Sequence, residues 1–162
     1  MAHDIQTTIT VNDQVVTKNI EPRTHLIDFL RDGLDLTGSH VGCEHGVCGA
    51  CTVRVNGEIV RGCLTLAVSC AGKKVETIEG LSDSGELAQL QSAFHERNAL
   101  QCGYCTPGML ICALDLVKST ASATREQIRE HISGNYCRCT GYHAIVDAIE
   151  AVLIAKRGGG AA

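Results

Sequence analysis

The 162-residue sequence predicts an α+β protein in which a small mixed sheet is built first and a helical half follows. Three observations carry that reading. Apolar residues alternate with a period of two up to about residue 78, then recur with a period near 3.6 beyond residue 87. Two turn dipeptides, Asn12-Asp13 and Asn56-Gly57, each separate a pair of strand-like runs. Eight of the ten cysteines form two quartets of unlike spacing, one in each half: Cys43, Cys48, Cys51 and Cys63, then Cys102, Cys105, Cys137 and Cys139.

The elements follow in order. Ile5 to Val11 and Gln14 to Ile20 flank the first turn and are expected as a hairpin. Thr24 is placed to cap a helix through Leu34, whose Leu26, Phe29, Leu30 and Leu34 would cover the sheet with one apolar face. Cys51 to Val55 and Glu58 to Val60 form a second hairpin, and Lys74 to Ile78 a final strand. Glu79 to Glu86, rich in Gly, Ser and Asp, reads as a linker. Four helices are expected after it: one opened by Leu87, Leu90 and Phe94, one carrying Met109, Cys112 and Leu116, one over Arg125 to Ile132, and one carrying Ile145, Ala148, Ile149 and Val152. Thr124 with Gln127 three residues on has the form of a capping box. The division is therefore 1–78, a linker 79–86, a helical unit 87–157 and a disordered tail 158–162.

A formal charge of -4 without any basic stripe argues against a nucleic-acid partner. Aromatics make up 3% of the residues and Trp is absent, so stacking platforms for bases are scarce as well. The run from Met1 to Val11 has none of the features of a secretory or twin-arginine leader, and no apolar stretch approaches membrane-spanning length. A cytoplasmic location is expected, where short-spaced cysteine pairs serve metals better than disulfides.

The first quartet reads C-x4-C-x2-C with a fourth cysteine further on, the spacing of a plant-type [2Fe-2S] site. Three ligands within nine residues force the backbone to curl with its N–H groups towards sulfur, which Gly42, Gly46 and Gly49 permit. The second quartet, C-x2-C and later C-x-C, is a different arrangement. Each of its pairs runs into a threonine, Thr106 or Thr140, positioned to cap the next helix, and Pro107 suits the first helical position. Positive helix ends would then face the thiolates. Four thiolates also suit tetrahedral zinc, so a structural zinc module is the alternative, stronger for the second quartet than for the first. Cys112 reads as a small buried apolar residue, and Cys70 is also left over. No H-x3-H or other His ligand pattern occurs; only His45, inside the first loop, is placed to influence a potential. No nucleophile elbow, phosphate loop or dinucleotide fingerprint is present, so substrate chemistry must occur on another cofactor.

Three motifs extend these spacings: Gly42-Cys43 through Cys51-Thr52-Val53, Gln101-Cys102-Gly103-Tyr104-Cys105-Thr106-Pro107-Gly108, and Gly134-Asn135-Tyr136-Cys137-Arg138-Cys139-Thr140-Gly141-Tyr142. With them the chain resembles the iron-sulfur small subunit of the molybdenum hydroxylases, the xanthine oxidase family, over about residues 5 to 155. The resemblance is nearest to the separate small chains of bacterial three-subunit enzymes such as aerobic carbon monoxide dehydrogenase and quinoline oxidoreductase. It implies a plant-ferredoxin-like (β-grasp) domain followed by a C-terminal four-helix bundle, each with one [2Fe-2S] cluster. It also implies a molybdopterin-type molybdenum cofactor in a large partner subunit and FAD in a medium one, in a heterotrimer that is commonly doubled. Electrons would pass from substrate through molybdenum-pterin to the C-terminal cluster, then to the N-terminal cluster and FAD. Gln101 would hydrogen-bond the pterin, and Cys139 would be the ligand nearest it. Tyr136 stands where an aliphatic residue is common in the family. The substrate, an N-heterocycle, aldehyde, purine or carbon monoxide, lies beyond this chain, and a freestanding two-cluster ferredoxin is the other reading left open.

Overall fold

The computed structural model describes residues 4–158. Five strands form one mixed sheet in the order β2-β1-β5-β3-β4. The two hairpins lie where alternation and turn chemistry put them: β1 (Ile5–Val11) with β2 (Gln14–Ile20), and β3 (Thr52–Val55) with β4 (Glu58–Arg61). Asn12, Asp13, Asn56 and Gly57 all have positive φ, as two-residue turns that follow strand twist require. β5 (Lys74–Glu76) joins the hairpins, parallel to β1 and antiparallel to β3. Ile78, expected at the end of that strand, instead opens a helix.

Ile9, Val11, Val53, Val55 and Val75 point to one face and are covered by Leu26, Phe29 and Leu30. Leu26 lies on α1 (Leu26–Asp28), and Phe29 and Leu30 lie on the π-type turn, Phe29–Gly33, into which α1 widens. Thr24 does not cap this helix. His25 takes that place with an extended backbone and no side-chain cap, because it forms a bridge to Leu66 while the Thr24 carbonyl accepts the Ala67 N–H at 2.9 Å.

The second half has its own core. Its helices are α2 (Ile78–Asp83), α3 (Ala88–Glu96), α4 (Thr106–Ser119), α5 (Arg125–Ile132) and α6 (His143–Gly158). The four expected helices are there, with α3 against α6 and α4 against α5. The capping box is complete: the Gln127 N–H donates to Thr124 Oγ1 at 3.2 Å and the Thr124 N–H to Gln127 Oε1 at 2.8 Å. Such a cap is worth about 1 kcal/mol.

The linker reading of 79–86 is corrected. Ile78 and Leu81 share a face, and Leu81 is fully buried in the helical core, so the stretch folds as α2 despite its Gly, Ser and Asp content. Glu86 at its end is bound by Arg54 of β3 at 2.8 Å and by Lys118 of α4 at 2.6 Å. Arg54 also chelates Glu76 of β5 at 2.7 and 2.9 Å. This nearly buried guanidinium ties sheet to helices, and α4 lies directly on β3. Gly158 ends α6; the remainder of the expected tail lies outside the described residues.

Candidate metal centres

The first quartet is assembled by the second hairpin. Thr52 pairs with Arg61, so Cys51 just before β3 and Cys63 just after β4 come together, with their sulfurs 3.4 Å apart and both residues buried. Cys43 and Cys48 lie further out on the loop, half-buried. Positive φ at Glu44, Gly46 and Gly49 curls that loop inward, and the Cys48 N–H donates to Cys43 Sγ at 3.4 Å. That N–H, joined by the backbone N–H of His45, pulls the Cys43 thiol down to about 6. Burial, then the neighbouring Cys51 thiol, pushes Cys63 up to about 11. His45 thus contributes to this site through its backbone.

The second quartet gathers at the starts of α4 and α6. Cys105 is the N-cap of α4, and Cys102 stands three residues before it. Cys139 Sγ lies 3.6 Å from Cys102 Sγ, and both residues are exposed. Cys105 and Cys137 form the inner couple. Burial, then the Cys137 thiol, pushes Cys105 up to about 12. Burial of Cys137 acts the same way but is outweighed by the Thr140 hydroxyl at 3.1 Å and the Thr140 N–H at 3.4 Å, which hold its thiol below the ordinary value.

Two expected caps are corrected here. Thr106 is the first residue of α4, which puts Pro107 second, and no side chain caps that helix. Thr140 lies three residues ahead of α6; its hydroxyl is taken by the Cys137 sulfur and by the Tyr142 N–H at 3.2 Å. The pairs still stand at helix N-termini, and the partner that Thr140 serves is a thiol. Gln101 is exposed, and its side-chain amide donates to the Cys139 carbonyl at 3.1 Å. Gln101 and Cys139 are therefore together on the outer rim.

The two cysteine loops touch. The Tyr136 N–H donates to the Cys48 carbonyl at 2.8 Å, and Asn135 Nδ2 to the Gly49 carbonyl at 3.1 Å. Arg61 reaches across with Nη2 to the Gly134 carbonyl at 2.8 Å and to Asn135 Oδ1 at 3.2 Å, while Nη1 binds Thr52 Oγ1. Tyr104, between Cys102 and Cys105, stacks on His40 with centroids 4.5 Å apart and donates its hydroxyl to the Val41 carbonyl at 2.7 Å. Asn135, Thr52 and Tyr104 fall inside the cysteine motifs, where they are read as companions of the ligands. Arg61 carries no motif signal at all.

The donor sets suit [2Fe-2S] cores. The thiols stand in couples, Cys43 with Cys48 and Cys51 with Cys63, Cys102 with Cys139 and Cys105 with Cys137. A binuclear core takes two thiolates on each iron. Buried neighbouring thiols with raised pKa need a cation to hold them deprotonated, and N–H groups aimed at sulfur temper the charge of the resulting centre. Cys70 and Cys112 are buried outside both sets, and burial pushes Cys112 up to about 11.

Comparison with known proteins agrees with this geometry. A 2Fe-2S iron-sulfur cluster binding domain model matches residues 12–90, and a [2Fe-2S] binding domain model matches residues 77–150. The caffeine dehydrogenase subunit gamma of Pseudomonas sp. (strain CBB1) is 52% identical over 147 residues, covering 89% of this chain and 88% of that one. The nicotine 6-hydroxylase small subunit of Paenarthrobacter nicotinovorans is 48% identical over 145 residues, covering 90% and 87%. The crystal structure of quinoline 2-oxidoreductase from Pseudomonas putida 86 superposes with a TM-score of 0.89 at 46% identity, over 97% of this chain and 98% of the matched one. With two cluster-binding domain models matched along its length and small-subunit relatives covering nearly all of it, the chain belongs to the family of [2Fe-2S] small subunits of the molybdenum hydroxylases, the electron-transfer subunits of these oxidoreductases.

Proposed function

We propose that this chain relays electrons from a molybdopterin centre in a large partner subunit to FAD in a medium one, during oxidative hydroxylation of a small molecule. The observation that carries this reading is the unequal exposure of the two thiol sets: Cys102 and Cys139 are open to a partner, whereas Cys51 and Cys63 are buried. Cys43, Cys48, Cys51 and Cys63 hold the N-terminal cluster, and Cys102, Cys105, Cys137 and Cys139 the C-terminal one. Bound clusters supply one-electron transfer, for which the chain's own side chains have no chemistry. Gln101, held by the Cys139 carbonyl, keeps its amide oxygen free to accept a hydrogen bond from the pterin, and Cys139 is the ligand beside it. Electrons then enter at the C-terminal set and leave from the N-terminal one, where the half-buried Cys43 and Cys48 lie nearer the surface than their partners.

The assembly proposed is a dimer of heterotrimers in the cytoplasm, with the two cluster-binding units of this chain meeting between residues 77 and 86. Relatives named for caffeine, nicotine and quinoline favour an N-heterocycle as the substrate of the large subunit. The test is Cys139→Ser in the purified complex, with the chemical reductant dithionite and substrate compared. Substrate-driven reduction of the N-terminal cluster is expected to fail while dithionite still reduces it. Normal substrate-driven reduction would show that the order of the two centres is wrong.

A further inference from the structure

We propose that Arg61 and Asn135 form a latch that fixes the register of the two cysteine loops, making Arg61 a positioning residue for transfer between the two centres; this rests on the relay reading above. Arg61 ends β4, and its backbone pairing with Thr52 is complete without its side chain. The guanidinium leaves the sheet and binds the loop of the other unit, on Gly134 O at 2.8 Å and Asn135 Oδ1 at 3.2 Å, while also holding Thr52 Oγ1. Thr52 Oγ1 and Asn135 Nδ2 in turn both donate to the Gly49 carbonyl, at 2.6 and 3.1 Å. Asn135 is 1% exposed, so every one of these groups must be placed to be satisfied.

Directly beside this node runs a hydrogen-bonded link between the two thiol sets. The Tyr136 N–H donates to the Cys48 carbonyl at 2.8 Å, so Cys48 and Cys137 are joined by one hydrogen bond and one residue of backbone. Backbones approach this closely because side chains are missing where they meet: a Cβ on Gly108 would lie 2.3 Å from Gly49 O, and one on Gly49 2.5 Å from Gly134 O. The two halves have other ties, in the Arg54–Glu86 pair and the packing of α4 on β3. Removing the Arg61 guanidinium therefore loosens the register at the link and leaves the halves assembled. A planar fork spanning three acceptors is not reproduced by the single ammonium of lysine.

The test uses the purified complex with its partner subunits, as wild type, Arg61→Met and the gentler Arg61→Lys. Iron and sulfide content are measured first. Electron paramagnetic resonance of the dithionite-reduced complex then reads the magnetic splitting between the two centres, and flash photoreduction with deazaflavin reads how fast their signals re-equilibrate. Both variants are expected to keep wild-type iron and sulfide, to show an altered or broadened splitting, and to re-equilibrate several-fold more slowly, Arg61→Met more so than Arg61→Lys. Loaded variants with wild-type splitting and rate would overturn the latch. Loss of iron from both variants would also overturn it, since Arg61 would then build the sites. A wild-type complex without two iron-sulfur signals would instead bring down the relay reading itself.

Discussion

Gly49→Ala measures how tightly the two cysteine loops are interlocked. Gly49 has φ +76, where a side chain costs about 1–2 kcal/mol in backbone strain alone. Its Cβ would also lie 2.5 Å from the Gly134 carbonyl oxygen and 2.7 Å from Asn135 Cγ, in a place where backbone and a buried side chain must both shift. Forcing atoms into a filled site adds about 1–3 kcal/mol, for a total of about 2–5 kcal/mol. Gly57→Ala is the matched control: φ is +91, but nothing lies within 4 Å of the new Cβ, so only the backbone strain of about 1–2 kcal/mol applies. In a chain of this length each kcal/mol moves Tm by about 2–4 °C, so Gly49→Ala should melt about 4–20 °C low and Gly57→Ala about 2–8 °C low. Thermal melts of the cluster-loaded chain, followed by circular dichroism, make the comparison. Equal losses at the two positions, or no loss at Gly49, would refute the claim that the loops interlock at backbone contact.

Acid should loosen the joint between sheet and helices. Arg54, against the effect of burial, holds Glu86 down to about 2 and Glu76 below the usual carboxylate range. A carboxylate whose folded pKa is depressed stabilises the fold above its unfolded value near 4.3, and that contribution is lost as pH falls from there towards about 2. Urea midpoints between pH 6 and 3 should fall for the wild type and fall less steeply for Glu86→Gln; parallel curves would deny the pair this role. Cys70→Ala and Cys112→Ala should each keep full iron and sulfide and lose stability modestly, about 1 kcal/mol, since each removes a small buried group. Loss of half the iron from either variant would show that a ligand had been misassigned.

The elements set by local chemistry were legible in the chain. Asn12-Asp13 and Asn56-Gly57 specify their own turns, alternation specifies the strands around them, and Thr124 with Gln127 makes its cap without help from the rest of the fold. Where tertiary contacts compete, local signals mislead. Thr24 looks like a cap, but the His25–Leu66 bridge moves the helix start by one residue. The residues Glu79 to Glu86 look like a linker, but burial of Leu81 and the grip of Arg54 on Glu86 make them structure. Thr140 looks like a helix cap because the sequence does not show that a cysteine sulfur will claim its hydroxyl.

The same division holds at the centres. Membership of the two quartets is written in their spacing, but the couples within them are not. Cys51 meets Cys63 because β3 and β4 pair in one register, and Cys102 meets Cys139 because two loops separated by much of the helical half converge. Arg61 was out of reach for the same reason: its partners Gly134 and Asn135 are more than seventy residues away along the chain.

The assignment of the two thiol sets of this chain to two separate [2Fe-2S] centres is open to direct measurement. Metal and labile-sulfide analysis of the anaerobically purified chain, with electron paramagnetic resonance after dithionite reduction, tests it most directly. About four iron and four sulfide per chain and two distinguishable signals are expected. Tightly bound zinc in a colourless protein, or a single signal with half that iron, would contradict it.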